Sequence, residues 1–271
     1  MTDTTSIEAP AAAFLELEDL PGERIAYSRL PATRPGRPGL VFLGGFMSDM
    51  TGTKATALEA YAERCGLAFV RFDYRGHGSS SGRFEEGTIG AWTADATQVL
   101  DRLTEGPQIL IGSSMGGWVA LLLALAWPER VAGLVGIAAA PDFTDAMWEE
   151  FPQEARHAIA TEGRWAVASD YSEEPYLITR ALIEDGRRHR LLDGPISLHC
   201  PVRLLQGSAD TDVPWQTATR LMERLDSADV ETILVKDGDH RLSSERDLER
   251  LFAVLDGLTT AAGDAPYSPA A

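Results

Sequence analysis

The chain has 271 residues and a mass of 29.3 kDa, enough to bury a full core as one large α/β domain. Hydrophobic residues make up 44% and charged residues 24%, and 24 basic against 41 acidic side chains leave a formal charge of −17, an excess that repels phosphate backbones and argues against a nucleic-acid partner. Cys65 and Cys200 are the only cysteines, which fits two thiols in a reducing compartment better than a disulfide framework.

In chain order, residues 1–13 contain no Arg or Lys, so they lack the start of a secretory signal and the Arg-rich character of a transit peptide; a cytoplasmic protein is expected. Runs at 14–18 and 25–30 read as opening strands, antiparallel to each other. A short buried strand at 40–43 ends in Gly44-Gly45, and a helix follows over Thr53–Cys65. The alternation continues with a strand at 68–73, a helix at 88–103, a strand at 108–112 and a helix at 115–127. That last apolar run stops at Pro128, short of membrane-spanning length. Strands at 131–139, 202–206 and Val230–Val235 follow, with helices at 215–225 and 244–258. Apolar runs alternating with amphipathic stretches predict the α/β class: a mostly parallel central sheet with helices on both faces. Residues 142–199 break the pattern, with aromatics mixed among charges and no clear strand. A structureless loop of that length is improbable, so a small helical cap inserted after the 131–139 strand is expected. The single domain spans 14–260, with flexible tails at 1–13 and 261–271.

Gly112-Ser113-Ser114-Met115-Gly116 is a Gly-x-Ser-x-Gly pattern placed between a buried strand and a helix. A serine on such a turn needs small neighbours, because the strained backbone leaves no room for side chains. The hydroxyl needs a base to become a nucleophile. His77 comes too early in the chain and reads as a turn residue. His157 and His189 lie among charges in the cap and read as solvated surface, and His199 precedes a strand and reads as structural. His240 sits on a loop after the last strand, which makes it the candidate base. The acid belongs between serine and histidine, at the end of a strand. Asp210 stands in Gly-x-x-Asp-x-x-Val-Pro after the 202–206 strand. Asp212 is the alternative, with a competing role in capping the helix that follows. An oxyanion needs two N–H donors: Met115, directly after the serine, and Phe46 on the loop after the 40–43 strand, with Gly45 or Met47 as alternatives. Met147, Trp148 and Phe151, with Trp165, Tyr171 and Tyr176, are candidates to line a substrate pocket or to form the cap's own core. No His/Cys/Glu spacing suggests a metal, and no Gly-x-Gly-x-x-Gly or Walker pattern suggests a nucleotide, so no cofactor is expected.

With these residues in view the chain resembles the α/β-hydrolases, in the branch of a mitochondrial acyl-protein thioesterase that also cleaves acyl glucuronides and of its bacterial relatives. The likeness is carried by residues 45–55, 73–80, 112–118, 171–174, 200–207, 210–215 and 239–241. Gly52-Thr53-Lys54-Ala55 and Tyr171-Ser172-Glu173-Glu174 are the pieces most particular to that branch. Where many α/β-hydrolases carry His-Gly at the oxyanion loop, this chain has Gly44-Gly45. The resemblance implies hydrolysis of acyl esters or thioesters, on small molecules or acylated proteins, which the residues would carry through an acyl-enzyme on Ser114; the mitochondrial member's targeting presequence has no counterpart here, so a bacterial cytoplasmic setting is expected. Rival readings are a ligand-binding module that keeps the fold without turnover, or a peptidase or haloperoxidase on the same scaffold. No motif specifies an oligomeric state.

Overall fold

The computed structural model describes residues 12–34, 36–167 and 175–264. An antiparallel pair, β1 (Ala13–Glu16) and β2 (Arg24–Leu30), opens the chain. Then come β3 (Gly39–Leu43), α1 (Thr53–Cys65), β4 (Phe69–Phe72), α2 (Ile89–Leu103), β5 (Gln108–Ser113), α3 (Met115–Ala126) and β6 (Val131–Ile137). The cap follows with α4 (Phe143–Glu150), α5 (Gln153–Glu162), β7 (Arg164–Val167), β8 (Tyr176–Thr179) and α6 (Arg180–Arg188). The chain closes with β9 (Val202–Gly207), α7 (Gln216–Arg224), β10 (Val230–Val235) and α8 (Glu245–Asp264).

Among the described residues the main sheet has eight strands in the order β1-β2-β4-β3-β5-β6-β9-β10. From β4 to β10 all neighbours are parallel, and β2 joins β4 antiparallel. β3 and β5 are buried along their whole lengths, which is why they read as unbroken apolar runs: helices cover both faces. Successive side chains point to opposite sides. Leu40 and Phe42 join one core with Leu58 and Tyr61 of α1 and Leu251 and Leu255 of α8. Val41 and Leu43 join the other with Trp92 of α2 and Trp118 of α3. From β3 the chain steps one way to β4, then crosses to the other side at β5. At such a reversal, sheets of this kind place their ligands beyond the strands' C-terminal ends.

The second core continues into the cap through Phe151, Ala155, Ile159, Ile178 and Leu182. The cap is not purely helical as expected, because β7 and β8 form a two-stranded antiparallel sheet. Each has four residues, and neither shows the long buried run that marked the main-sheet strands. α8 also runs past the expected end at 258, to Asp264, into the segment expected as a tail. Tyr171 and the 171–174 segment lie outside the described residues, as do 1–11 and 265–271. No helix among the described residues is long and apolar enough to cross a membrane.

One carboxylate joins the two ends of the cap. Asp142, at the entry, adopts φ 60° and accepts the N–H groups of Leu191 and Leu192, both at 2.8 Å, at the exit. Burial raises its pKa, and the two N–H bonds work against that rise. Asp142→Ala removes both acceptors and gives up aspartate's better tolerance of the left-handed region. The expected loss is about 2–4 kcal/mol in urea denaturation, with faster limited proteolysis in the cap.

Candidate active site

β5 delivers the chain to Ser114 and α3 carries it away. Ser114 sits at φ 54°, ψ −120°, a conformation that survives only where the surroundings over-determine it. The packing around it admits no side chain at either flanking glycine. A Cβ on Gly112 would stand 2.3 Å from the Gly116 carbonyl oxygen, and one on Gly116 would stand 2.1 Å from that of Leu43. β6 braces the turn: Ser114 N–H donates to the Ile137 carbonyl at 2.9 Å, and its own carbonyl accepts from Ala140 N–H at 3.1 Å.

His240 and Asp210 arrive on the loops after β10 and β9. The loops are joined to each other, since Ala209 N–H donates to the Gly238 carbonyl at 3.0 Å and Asp237 N–H to Ser208 Oγ at 2.8 Å. His240 Nε2 lies 3.1 Å from Ser114 Oγ, and its Nδ1 lies 2.9 Å from Asp210 Oδ2. With Asp210 accepting at Nδ1, the neutral ring carries its proton there and leaves Nε2 free to take one. The Asp210 side chain is fully buried. It also accepts from the Asp212 and Val213 N–H groups at 2.9 and 2.8 Å and from Gln206 Nε2 at 2.8 Å. Burial acts to raise its pKa, but the His240 bond, the two N–H groups and the His240 charge outweigh it and hold the carboxyl below its ordinary value. Asp212 approaches the other ring nitrogen, with Oδ2 4.0 Å from Nε2, and so cannot set the tautomer as Asp210 does.

Met115 opens α3, so its N–H has no carbonyl one turn earlier to bond, and the helix dipole adds partial positive charge there. The loop after β3 runs against the serine: a Cβ on Gly45 would stand 3.4 Å from Ser114 Cβ. Phe46 follows. Its ring meets Phe84 and Trp92 of the main domain with centroids 4.8 and 5.9 Å away, and Phe143 and Tyr176 of the cap at 5.6 and 5.9 Å. Met47 has φ 55° and is 42% exposed.

The cap candidates are distributed differently. Phe151 is buried in the core, while Met147, Trp148 and Trp165 are half-buried against it, and Arg187 lies 5.1 Å over the Trp148 ring. A groove of about 430 Å³ between α5 and the β7–β8 pair is lined by Glu154, His157, Glu162, Arg164, Trp165 and Leu177. It touches none of Ser114, Asp210 and His240.

The other histidines meet expectation in part: His157 is exposed surface as expected, and the others depart from it in burial. His77 does lie in a turn, but it is buried against Tyr74, Phe84 and Trp92, and burial lowers its pKa to about 4 despite a contact with the Arg75 carbonyl. His189 is half-buried rather than solvated, with its carbonyl accepting from Trp118 Nε1 at 3.0 Å. His157 and His199 are exposed. Two residues that sequence reasoning passed over also touch the constellation. Gln206 bonds Asp210; its signal was a polar residue ending a buried apolar strand. Lys54 bonds the loop of His240; its signal was a lone lysine in a helix's first turn. Among the described residues no group of His, Cys, Asp and Glu is arranged to hold a metal.

Residues 40–254 match the profile described as the alpha/beta hydrolase family. The mitochondrial palmitoyl-protein thioesterase ABHD10 of Bos taurus is 42% identical over 247 residues, covering 91% of this chain and 79% of that protein. A putative hydrolase from Agrobacterium vitis S4 superposes with a TM-score of 0.86 at 42% identity, covering 92% of this chain and 97% of that one. The mouse alpha/beta hydrolase domain-containing protein 10 gives 0.84 at 41% identity, covering 93% and 99%.

His77 gives the region a testable dependence on pH. It is neutral in the fold below the point where the unfolded chain takes up its proton, so the unfolded state binds more protons and stability falls with acid. The loss runs from about pH 6.5 down to about pH 4. His77→Gln has nothing to titrate there. The variant is expected to lose less stability than wild type across that window, by about 2–3 kcal/mol at its acid end. Chemical denaturation of both proteins at stepped pH measures the difference.

Proposed function

This chain belongs to the alpha/beta hydrolase family, and we propose that it is a serine hydrolase of acyl thioesters and esters working through an acyl-enzyme on Ser114. The observation that carries the mechanism is the run of contacts from Ser114 Oγ through both His240 nitrogens to buried Asp210, at 3.1 and 2.9 Å. The likeness to the palmitoyl-protein thioesterase ABHD10, which covers 91% of this chain, supports an acyl thioester as the substrate type.

In this reading Ser114 Oγ bonds to the acyl carbonyl carbon while its proton passes to His240 Nε2. Asp210 holds the ring and stabilises the imidazolium without taking the proton. The N–H groups of Met115 and Phe46 receive the oxyanion. Collapse of the tetrahedral intermediate breaks the C–S or C–O bond, and the proton on His240 goes to the departing group. Water then adds to the acyl-enzyme, losing a proton to His240, and a second collapse releases the carboxylic acid and restores Ser114. A thiolate leaves with little help, since a free thiol has a pKa near 8.5, whereas an alkoxide depends more on the proton from His240.

Phe46, on the loop after β3 that runs against the serine, reaches to the cap, so we assign its ring to the wall along which the acyl chain lies. Met147 and Trp148 on α4 are the candidate outer wall, with Phe151 behind them in the core.

The deciding experiment is fluorophosphonate labelling with mass mapping, followed by a panel of p-nitrophenyl esters and acyl thioesters of graded chain length. The expected adduct is on Ser114, and Ser114→Ala takes up none; folded wild type without an adduct would remove the mechanism and favour a ligand-binding module. Asp210→Asn should lower kcat by about 10³–10⁴ through the wrong tautomer. Asp212→Asn, on the other nitrogen, should stay within about ten-fold of wild type. Phe46→Ala keeps the N–H donor and is expected to change chain-length preference. Turnover that falls equally for all chain lengths would take the ring out of the acyl wall.

A further inference from the structure

Lys54 stands in the first turn of α1, half-buried, and its Nζ donates to the carbonyl of Arg241, the residue after His240. It also lies 3.3 Å from Ser243 Oγ. Resting on the serine-hydrolase reading above, we propose that Lys54 is a positioning residue that holds the His240 loop in register with the loop carrying Phe46.

The placement of the two loops supports this. α1 begins directly after residues 44–52, the loop that runs against Ser114, so Lys54 moves with that loop. The His240 loop contains two non-glycine residues in the left-handed region, Asp237 at φ 58° and Leu242 at φ 43°. A loop so constrained needs anchors on both sides. On one side it is tied to the Asp210 loop by Ala209 and Ser208. On the other, Leu242 is buried and its N–H donates to Asp239 Oδ1 at 2.9 Å. Lys54 supplies an anchor from α1, 187 residues away in the chain. The donor loop and the base loop are thereby tied to each other as well as to the sheet.

Lys54 is poorly suited to a purely structural role. A cation in the first turn opposes the helix dipole, and burial drives its pKa down to about 8 even though Asp239 and Asp247 pull it up; Arg241 lowers it further. The contact between α1 and α8 does not need it, because Tyr61 Oη donates to Asp256 at 2.8 Å and the Tyr61 ring stacks on Phe252 at 4.9 Å. Lysine is also scarce here: apart from Lys54 only Lys236 occurs, against 22 arginines (24 basic residues less 2). A desolvated charge at a disfavoured helix position fits a group kept for what it orients.

The test compares Lys54→Met and Lys54→Arg with wild type. Readouts are the rate of fluorophosphonate labelling, kcat and KM on a short p-nitrophenyl ester, Tm, and the downfield NMR signal of the His240 Nδ1 proton. For Lys54→Met we expect labelling and kcat to fall about ten- to hundred-fold, the scale of a sub-ångström to 1 Å misplacement. KM should stay within about two-fold and Tm within about 3 °C, with the downfield signal broadened or shifted. Lys54→Arg, which keeps charge and donors, should recover most of the rate. Wild-type rates in folded Lys54→Met, or a loss that follows Tm with the His240 signal unchanged, would overturn the proposal. Labelling of wild type at Ser114 tests the underlying reading separately, and the NMR signal reports on Lys54 whichever way that result falls.

Discussion

Ser114 is held at φ 54°, a backbone state that costs an L residue about 1–3 kcal/mol, and much of the surrounding structure serves to hold it there. The strain persists because β5, α3, β3 and β6 meet at the turn with no space for the chain to relax. The glycines at 112 and 116 are therefore requirements of packing: added Cβ atoms would fall within 2.3 Å of neighbouring carbonyl oxygens. The same crowding exposes the hydroxyl at the end of the sheet and aims the first N–H groups of α3 at the space beside it. Neighbouring loops can then converge on a fixed point.

That convergence follows from the parallel sheet. Parallel strands send their connecting loops to one edge, and at the crossover between β3 and β5 such sheets place their ligands. Loops distant in sequence meet at that edge: 44–52 after β3, 207–215 after β9 and 236–244 after β10. The cap is tied in by Asp142 at its base and by the Phe46 ring at its contact with the main domain. Polar contacts fix the loops to one another, while aromatic contacts fix the cap to the site. Apolar rings thus lie close to the polar hydrogen bonds of Ser114, His240 and Asp210.

The legible parts of this arrangement were those that local chemistry imposes. Gly112, Ser114 and Gly116 stand out because the turn tolerates so few residue types. Asp210 and His240 stand out because each follows a clear apolar strand in the order serine, acid, histidine. The α/β class was readable from buried runs alternating with amphipathic helices. What stayed hidden depends on tertiary contact. β7 and β8 are short and half-exposed, so nothing in their composition separates them from a loop. The burial of His77 arises from Tyr74, Phe84 and Trp92 closing around it. Lys54 matters for a carbonyl 187 residues away, and Gln206 for Asp210, which it meets only once the loop after β9 folds back on its own strand.

The separation in sequence of the interacting groups also bears on synthesis. Ser114 Oγ and His240 Nε2 meet across 126 positions, and Lys54 reaches Arg241 across 187. Contacts so distant form late, once the intervening strands have paired. A ribosome that has made everything through β9 has already displayed the serine and its elbow, yet the imidazole has not been translated. On the mechanism proposed above, a chain cut anywhere between residues 115 and 239 would carry the Ser114 hydroxyl with no imidazole to take its proton.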